Sequence, residues 1–182
     1  MLMNRQDSLL MIIDVQERLA PAMDDPRQVI SNSARLVGAA KAMNVPFIIT
    51  EQYPQGLGAT MIDVRQEAGD DAAVFSKLHF SCAREPEILR AIQASGRKQI
   101  ILAGAETHIC LLQTAMDLQE RGYAVFVVSN ASSSRNAVQN IMALQRMAHD
   151  GIDIVTSEMV IFEWLEKAGT DEFKQIVNKY IL

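Results

Sequence analysis

The 182-residue sequence predicts a single α/β domain, a three-layer α/β/α sandwich around a six-stranded parallel sheet. Short apolar runs of strand length alternate with longer segments in which apolar residues recur at helical spacing. Strands separated by helices form parallel sheets with helices on both faces, and right-handed crossovers restrict these to a doubly wound, Rossmann-like sandwich. No repeat, low-complexity tract or linker interrupts the pattern, so we expect residues 1–182 to form one domain.

Six apolar segments bounded by turn residues predict the strands. Pro46 lies near the start of the second strand, where proline is tolerated. The predicted strands are Leu9–Ile13, Val45–Thr50, Ala73–Ser76, Gln99–Ala103, Tyr123–Val128 and Ile152–Val155.

Six helices are predicted from their spacing and their end signals. Pro26 fits a first helical turn, and Gly122 and Gly151 each follow a last one. Between the second and third strands, residues 51–71 are expected to be irregular, and long connections of this kind are often functional. The predicted helices are 26–43, 85–95, 109–121, 135–150, 157–165 and 170–180.

Composition and charge narrow the class of protein. The net charge is −5 with acidic and basic residues interspersed, which argues against a nucleic-acid partner. No apolar run approaches the ~20 residues of a membrane span, and the N-terminus lacks the pattern of a signal peptide, so we expect a cytoplasmic protein. Two cysteines without a CxxC motif and three scattered histidines predict neither a structural disulfide nor a metal site. No phosphate-binding glycine motif occurs, so no cofactor is expected.

Cys110 is the first candidate for chemistry because it follows a buried strand and a tight turn, in the first turn of a helix. Unpaired N–H groups and the helix dipole at such a position favour the thiolate. The alternative is that Cys110 is a small buried apolar residue, as free cysteines often are. The other cysteine, Cys82, fits a structural or lining role better than a redox partner.

Two further candidates follow strand ends. Asp14 ends the first strand and Lys77 follows the third, and the carboxyl ends of parallel strands share one edge of the sheet. Asp14 can also be a turn residue and Lys77 a solvated lysine. Together with Cys110, however, they supply a carboxylate base, a cation and a thiol, which are the parts of an activated cysteine nucleophile. Backbone N–H groups of Cys110 and the preceding turn would hold the oxyanion.

Three segments in order resemble the isochorismatase-like, or cysteine hydrolase, superfamily over nearly the whole chain. They are Ile12–Gln16, Phe75–Lys77 and Leu102–Cys110, which match the segments carrying the family's catalytic aspartate, lysine and cysteine. Residues 50–58, 106–110, 130–135 and 156–158 are most similar to the isochorismatase domain-containing proteins of that superfamily.

The resemblance implies a cysteine-dependent hydrolase with Asp14, Lys77 and Cys110 as its catalytic residues. It further implies a cis peptide between Ala105 and Glu106 that directs the N–H groups of Glu106 and Cys110 at one oxyanion. The loop after the second strand has no histidine, which argues against the metal site of the family's nicotinamidases. The expected reaction is cleavage of a small amide or related C–N bond through a thioester. Predicted pocket residues are Leu19, Tyr53, Leu57 and His108.

Two other functions remain open at this point. One is hydrolysis of the vinyl ether of an isochorismate-like substrate, with Asp14 as the acid and Cys110 idle. The other is a non-catalytic binding or regulatory module that keeps an ancestral site. Whichever function the protein has, we expect a homo-oligomer. Candidate surfaces for a second subunit are the apolar faces 111–118 and 173–181.

Overall fold

The computed structural model describes residues 1–182 and contains one sheet of six strands, each parallel to its neighbours. The strand order is β3-β2-β1-β4-β5-β6. This confirms the predicted α/β/α sandwich. The strands are β1 (Ser8–Ile13), β2 (Phe47–Gln52), β3 (Val74–Lys77), β4 (Gln99–Ala105), β5 (Ala124–Ser133) and β6 (Asp153–Val155).

Eight α-helices connect and cover the strands. They are α1 (Pro26–Ala42), α2 (Pro54–Leu57), α3 (Ile62–Ala68), α4 (Pro86–Ala94), α5 (Leu112–Glu120), α6 (Ala137–His149), α7 (Ser157–Leu165) and α8 (Asp171–Tyr180).

The segment expected to be irregular contains α2 and α3, so that prediction was wrong in part. Each helix ends at a glycine with positive φ, Gly58 at 79° and Gly69 at 84°. Helices this short do not span enough residues to show a helical period in the sequence. The strands before and after the segment also extend further than predicted, so Gln52 and Lys77 are the last residues of β2 and β3.

Alternate residues of β1 enter two separate cores because successive side chains of a strand point to opposite faces. Leu10 and Ile12 pack with residues of α1, α7 and α8. Leu9, Met11 and Ile13 pack with residues of α4, α5 and α6. Helices therefore cover both faces of the central strand, which leaves its carboxyl end as the place where a functional side chain can lie.

Gly104 allows β1 and β4 to approach closely at that end. It pairs with Ile13 and has a φ of 124°. A Cβ atom on Gly104 would lie 2.0 Å from the carbonyl oxygen of Ile13. Only glycine permits this approach, which brings the residue after β1 next to the turn after β4.

The two helical faces proposed for self-association are used inside the chain. Leu111, Leu112, Ala115 and Leu118 are buried in the second core. On α8, Ile176 and Tyr180 are buried in the first core, and the other apolar residues of that face pack against it. None of the helices is both long and apolar enough to cross a membrane.

Candidate active site

Three strand ends bring Asp14, Lys77 and Cys110 to one buried point, as the parallel topology predicts. Asp14 follows β1 in a left-handed conformation, with φ at 54°, and its backbone N–H donates to the Thr50 carbonyl. Its Oδ1 accepts a hydrogen bond of 2.8 Å from the Thr50 hydroxyl. Its Oδ2 lies 2.8 Å from Lys77 Nζ, and neither side chain is exposed to solvent.

The Lys77 ammonium donates three hydrogen bonds within the protein, in addition to its ion pair with Asp14. The acceptors are Gln52 Oε1 at 2.5 Å, the Phe80 carbonyl at 3.0 Å and the His79 carbonyl at 3.3 Å. Lys77 therefore acts as a fixed charge that orients Asp14, and it has no N–H left for a substrate.

Cys110 lies in a π-helical turn, Thr107–Leu111, that leads directly into α5. Its thiol donates a long hydrogen bond to Gln52 Oε1, with the sulfur 4.0 Å from that oxygen. The Asp14 carboxylate is near enough for its charge to raise the pKa of Cys110. The Thr114 hydroxyl donates to the Cys110 carbonyl at 2.7 Å, which anchors the turn from one helical turn further on.

The electrostatics of the site favour the thiol of Cys110. Burial, followed by the charge of Asp14, raises the pKa of Cys110 far above its ordinary range, and Lys77 opposes this only in part. From the sequence, a thiolate stabilised by Lys77 and the helix terminus was expected. That expectation fails because the charge of Lys77 is already balanced by Asp14 at 2.8 Å.

Asp14 and Lys77 shift each other in the manner of a buried ion pair. Burial raises the pKa of Asp14, while the charge of Lys77 and several hydrogen bonds act to lower it. Burial alone would lower the pKa of Lys77, but neighbouring acidic groups, Asp14 first among them, raise it overall. Asp14 is thus a stronger proton acceptor than an exposed aspartate.

The turn before Cys110 presents a backbone donor. The peptide bond between Ala105 and Glu106 is cis. The N–H of Glu106 has no hydrogen-bond acceptor within the protein. The Glu106 carboxylate is held away by Arg135, whose backbone N–H and Nε donate to it at 3.0–3.1 Å.

A family profile, that of the isochorismatase domain, matches residues 8–159. The chain belongs to the isochorismatase family. Its relatives include the secreted isochorismatase effector Isc1 of Phytophthora sojae, 39% identical over 93% of this chain and 82% of that protein. Isochorismatase domain-containing protein 2 of Xenopus laevis is 36% identical over 96% of this chain and 83% of that protein. These relatives confirm the resemblance seen in the sequence.

Solved structures of similar proteins share the fold. A protein of Caenorhabditis elegans described as MAR1 ribonuclease has a TM-score of 0.92 and 34% identity, over all of this chain and 92% of that one. The YcaC gene product of Escherichia coli, described as an octameric hydrolase of unknown specificity, has a TM-score of 0.91 and 25% identity, over 98% of this chain and 90% of that one.

Gln52 also lies at the site of this family member, although the sequence pattern did not predict it as a functional residue. Its Oε1 contacts both Lys77 and Cys110, and its Nε2 donates to the Leu78 carbonyl at 2.9 Å. The side chain of Gln16 makes two hydrogen bonds to the Gln52 backbone. Gln16 Oε1 accepts from the Gln52 N–H at 2.8 Å, and Gln16 Nε2 donates to the Gln52 carbonyl at 3.0 Å. A glutamine before a turn carries no charge pattern, so only its place at a strand end beside Lys77 could have indicated it.

The four predicted pocket residues are distributed around the site. Tyr53 is half exposed and lines a cavity of about 440 Å³ that reaches Lys77. Leu19 and Leu57 are partly buried in the segments after β1 and β2, outside the lining of that cavity. His108 accompanies Cys110 in the π-helical turn, with Nδ1 2.9 Å from the Ser134 hydroxyl.

Cys82 lies behind the site and is completely buried. Its thiol is 3.9 Å from the Thr50 hydroxyl, which in turn donates to Asp14. Burial raises the pKa of Cys82 to about 11, and the Asp14 charge adds to the effect. Both cysteines are free thiols. The structure has no group of three or more His, Cys, Asp or Glu residues placed to hold a metal ion.

Proposed function

We propose that this isochorismatase-family protein is a cysteine-dependent hydrolase that cleaves a small amide or related C–N bond through a thioester. The observation that carries the proposal is the convergence of the Cys110 thiol, the buried Asp14 carboxylate and Lys77, whose Nζ lies 2.8 Å from Asp14 Oδ2. A thiol beside a buried base and an unpaired backbone donor has the arrangement of an activated nucleophile.

In the first half of the reaction, the Cys110 proton moves to Asp14 as Sγ attacks the carbonyl carbon. The new C–S bond forms, and the carbonyl oxygen becomes an oxyanion near the N–H groups of Glu106 and Cys110. Asp14 then gives the proton to the leaving nitrogen as the C–N bond breaks. The products of this half are an amine or ammonia and an acyl thioester on Cys110.

In the second half, Asp14 is a carboxylate again and takes a proton from water. The water oxygen bonds to the carbonyl carbon, the C–S bond breaks, and the proton returns to sulfur. The net reaction consumes one water and releases a carboxylic acid. Lys77 supports both halves as a permanent positive charge beside Asp14, and neither half needs a metal ion or a cofactor.

The experiment that tests the proposal is an amide-library screen with product detection and intact-protein mass spectrometry. Wild-type protein should release carboxylic acid and carry a transient acyl adduct on Cys110. Cys110→Ala should show neither while keeping its fold. Cys82→Ala is the matched control because it removes the buried thiol that does not face the substrate, and it should retain turnover. Full amidase activity in Cys110→Ala would reject the mechanism.

One observation favours a second candidate, hydrolysis of a vinyl ether. Burial raises the pKa of Asp14, which makes its protonated form more available as an acid. That reaction would not use Cys110 as a nucleophile. Incubation with isochorismate, with pyruvate as the readout, separates the two. Pyruvate release that survives in Cys110→Ala would favour the vinyl ether reaction, and no turnover of either substrate class would favour a binding module.

Neither charge nor composition supports a nucleic-acid substrate, although one structural relative is described as a ribonuclease. The net charge of −5 and the interspersed charges lack the basic surface that phosphate backbones require. Two free thiols are compatible with the reducing cytoplasm that the sequence predicts. A small molecule fits this site better than a polymer because Cys110 is only 5% exposed.

A homo-oligomer is proposed on two grounds. A structural relative is described as octameric. In this chain, α6 exposes Val138, Ile141 and Met142, which share one helical face and are each at least half exposed. The same helix packs against the turn that carries Cys110. Ile141→Glu should lower the mass measured by light scattering, whereas Leu2→Glu, at another exposed apolar residue, should not.

A further inference from the structure

We infer that Gln52 determines the leaving group, selecting substrates whose scissile carbonyl carries a nitrogen with at least one N–H. The inference rests on the proposed thioester mechanism and assigns the side of the site that receives the leaving nitrogen. It depends on the contacts of the Gln52 amide with Lys77, Leu78 and Cys110.

The orientation of the Gln52 amide is fixed at both ends. Its Nε2 donates to the Leu78 carbonyl at 2.9 Å, and its Oε1 accepts from Lys77 Nζ at 2.5 Å. Reversing the amide would place N–H against an ammonium and oxygen against a carbonyl, so the oxygen must face Lys77 and Cys110. The two hydrogen bonds from the Gln16 side chain hold the Gln52 backbone in place. Gln52 Oε1 is therefore a preorganised acceptor.

That acceptor lies next to the reacting sulfur. Gln52 Oε1 is 4.0 Å from Cys110 Sγ, close enough to reach the nitrogen of an amide whose carbon bonds to that sulfur. Gln52 Oε1 has two lone pairs: one accepts from Lys77, and the other faces the Cys110 thiol and is released for a substrate N–H once the thiol proton has moved to Asp14. The site then has a donor, the unpaired Glu106 N–H, and an acceptor, Gln52 Oε1. An amide needs this pair, with its oxygen on the donor and its N–H on the acceptor.

An ester or a fully substituted amide has no N–H to give. With either, Gln52 Oε1 would face an oxygen or a methyl group and lose a hydrogen bond that the primary amide makes. A site built to bond an N–H rejects the analogue that lacks it, because its own polar group is left unpaired. The acceptor should also assist departure, since the N–H bond is polarised as the nitrogen gains its proton from Asp14.

The test pairs one substitution with two probes that share an acyl group. Acetamide has two N–H bonds and methyl acetate has none, and acetate release is followed by NMR for both. Gln52→Met keeps the length of the side chain and removes the acceptor. We expect kcat/KM for acetamide to fall about 10- to 100-fold, the loss of one hydrogen bond made in the transition state. For methyl acetate we expect a change of less than about threefold.

Two controls distinguish selection of the leaving group from support of Lys77. Gln93→Met makes the same change on the exposed face of α4 and should leave both rates unaltered. Alkylation of Cys110 by iodoacetamide should differ less than about threefold between wild type and Gln52→Met, because the substitution leaves both the thiol and the Asp14–Lys77 ion pair in place.

Each outcome decides between the alternatives. A selective loss on acetamide, with intact alkylation, supports the inference. Equal losses on both probes, or a collapse of alkylation, would overturn it, since Gln52 would then act only through Lys77. A wild-type protein that releases acetate from methyl acetate but not from acetamide would also overturn it. No release from either probe by the wild type would instead reject the proposed function on which the inference rests.

Discussion

Replacing Gly104 by alanine tests whether the close approach of β1 and β4 is required for the fold and the site. The new Cβ would lie 2.0 Å from the Ile13 carbonyl oxygen and 2.8 Å from the Ile13 nitrogen, so the strands must separate. The φ of 124° adds backbone strain of about 1–3 kcal/mol. Overpacking costs a further ~1–3 kcal/mol. We expect a loss of about 2–6 kcal/mol in the free energy of unfolding, measured by urea denaturation.

Gly96→Ala is the matched control because Gly96 also has a positive φ, 66°, but no atom lies within 4 Å of its would-be Cβ. It should lose only about 1–2 kcal/mol. The fraction of Gly104→Ala that folds should also hydrolyse amides about 100-fold more slowly, since a displacement of about 1 Å between Asp14 and Cys110 spoils the proton transfer. Equal losses of stability in Gly104→Ala and Gly96→Ala would refute the reasoning, because the backbone strain of a positive φ would then explain both without any steric clash.

Two further predictions concern charge and pH. Asp14→Asn should speed alkylation of Cys110 by iodoacetamide at pH 7 about tenfold or more, because it removes the charge that raises the thiol pKa and leaves Lys77 unbalanced. It should also abolish hydrolysis and cost about 3–5 kcal/mol of stability, and slower alkylation would contradict this assignment. For Cys82, the folded pKa of about 11 against 9.0 unfolded means that the unfolded thiol ionises first as pH rises. Stability should therefore fall by about 2 kcal/mol more in wild type than in Cys82→Ala between pH 9 and 11, and parallel curves would contradict the shift.

The convergence of Asp14, Lys77 and Cys110 could be anticipated because it follows from topology alone. Each residue ends a strand or follows one, and parallel strands share one carboxyl edge. The protonation state of Cys110 could not be anticipated from the sequence. It depends on Asp14 lying 2.8 Å from Lys77, where the carboxylate balances the lysine charge. The cis peptide was anticipated only through the resemblance to a family.

The role of Gln52 and the partners of the apolar helix faces could not be predicted from the sequence pattern. An amide side chain is uncharged, so the sequence does not indicate which groups it will contact. The role of Gln52 depends on its contacts with Lys77 and Cys110, which come from other strands and turns. The apolar face of α5 has the same period whether it meets the sheet or a second subunit. Packing assigned it to the core and left the exposed apolar surface on α6.

The most direct test of the central claim is to quench an amide reaction with acid and map the acyl group by mass spectrometry. Acetamide is a suitable first substrate. If Cys110 is the nucleophile and Asp14 its base, the acyl group will be found on Cys110 in the wild type and will be absent from Asp14→Asn. An acyl group on any other residue, or acetate release by Cys110→Ala at the wild-type rate, would contradict the account.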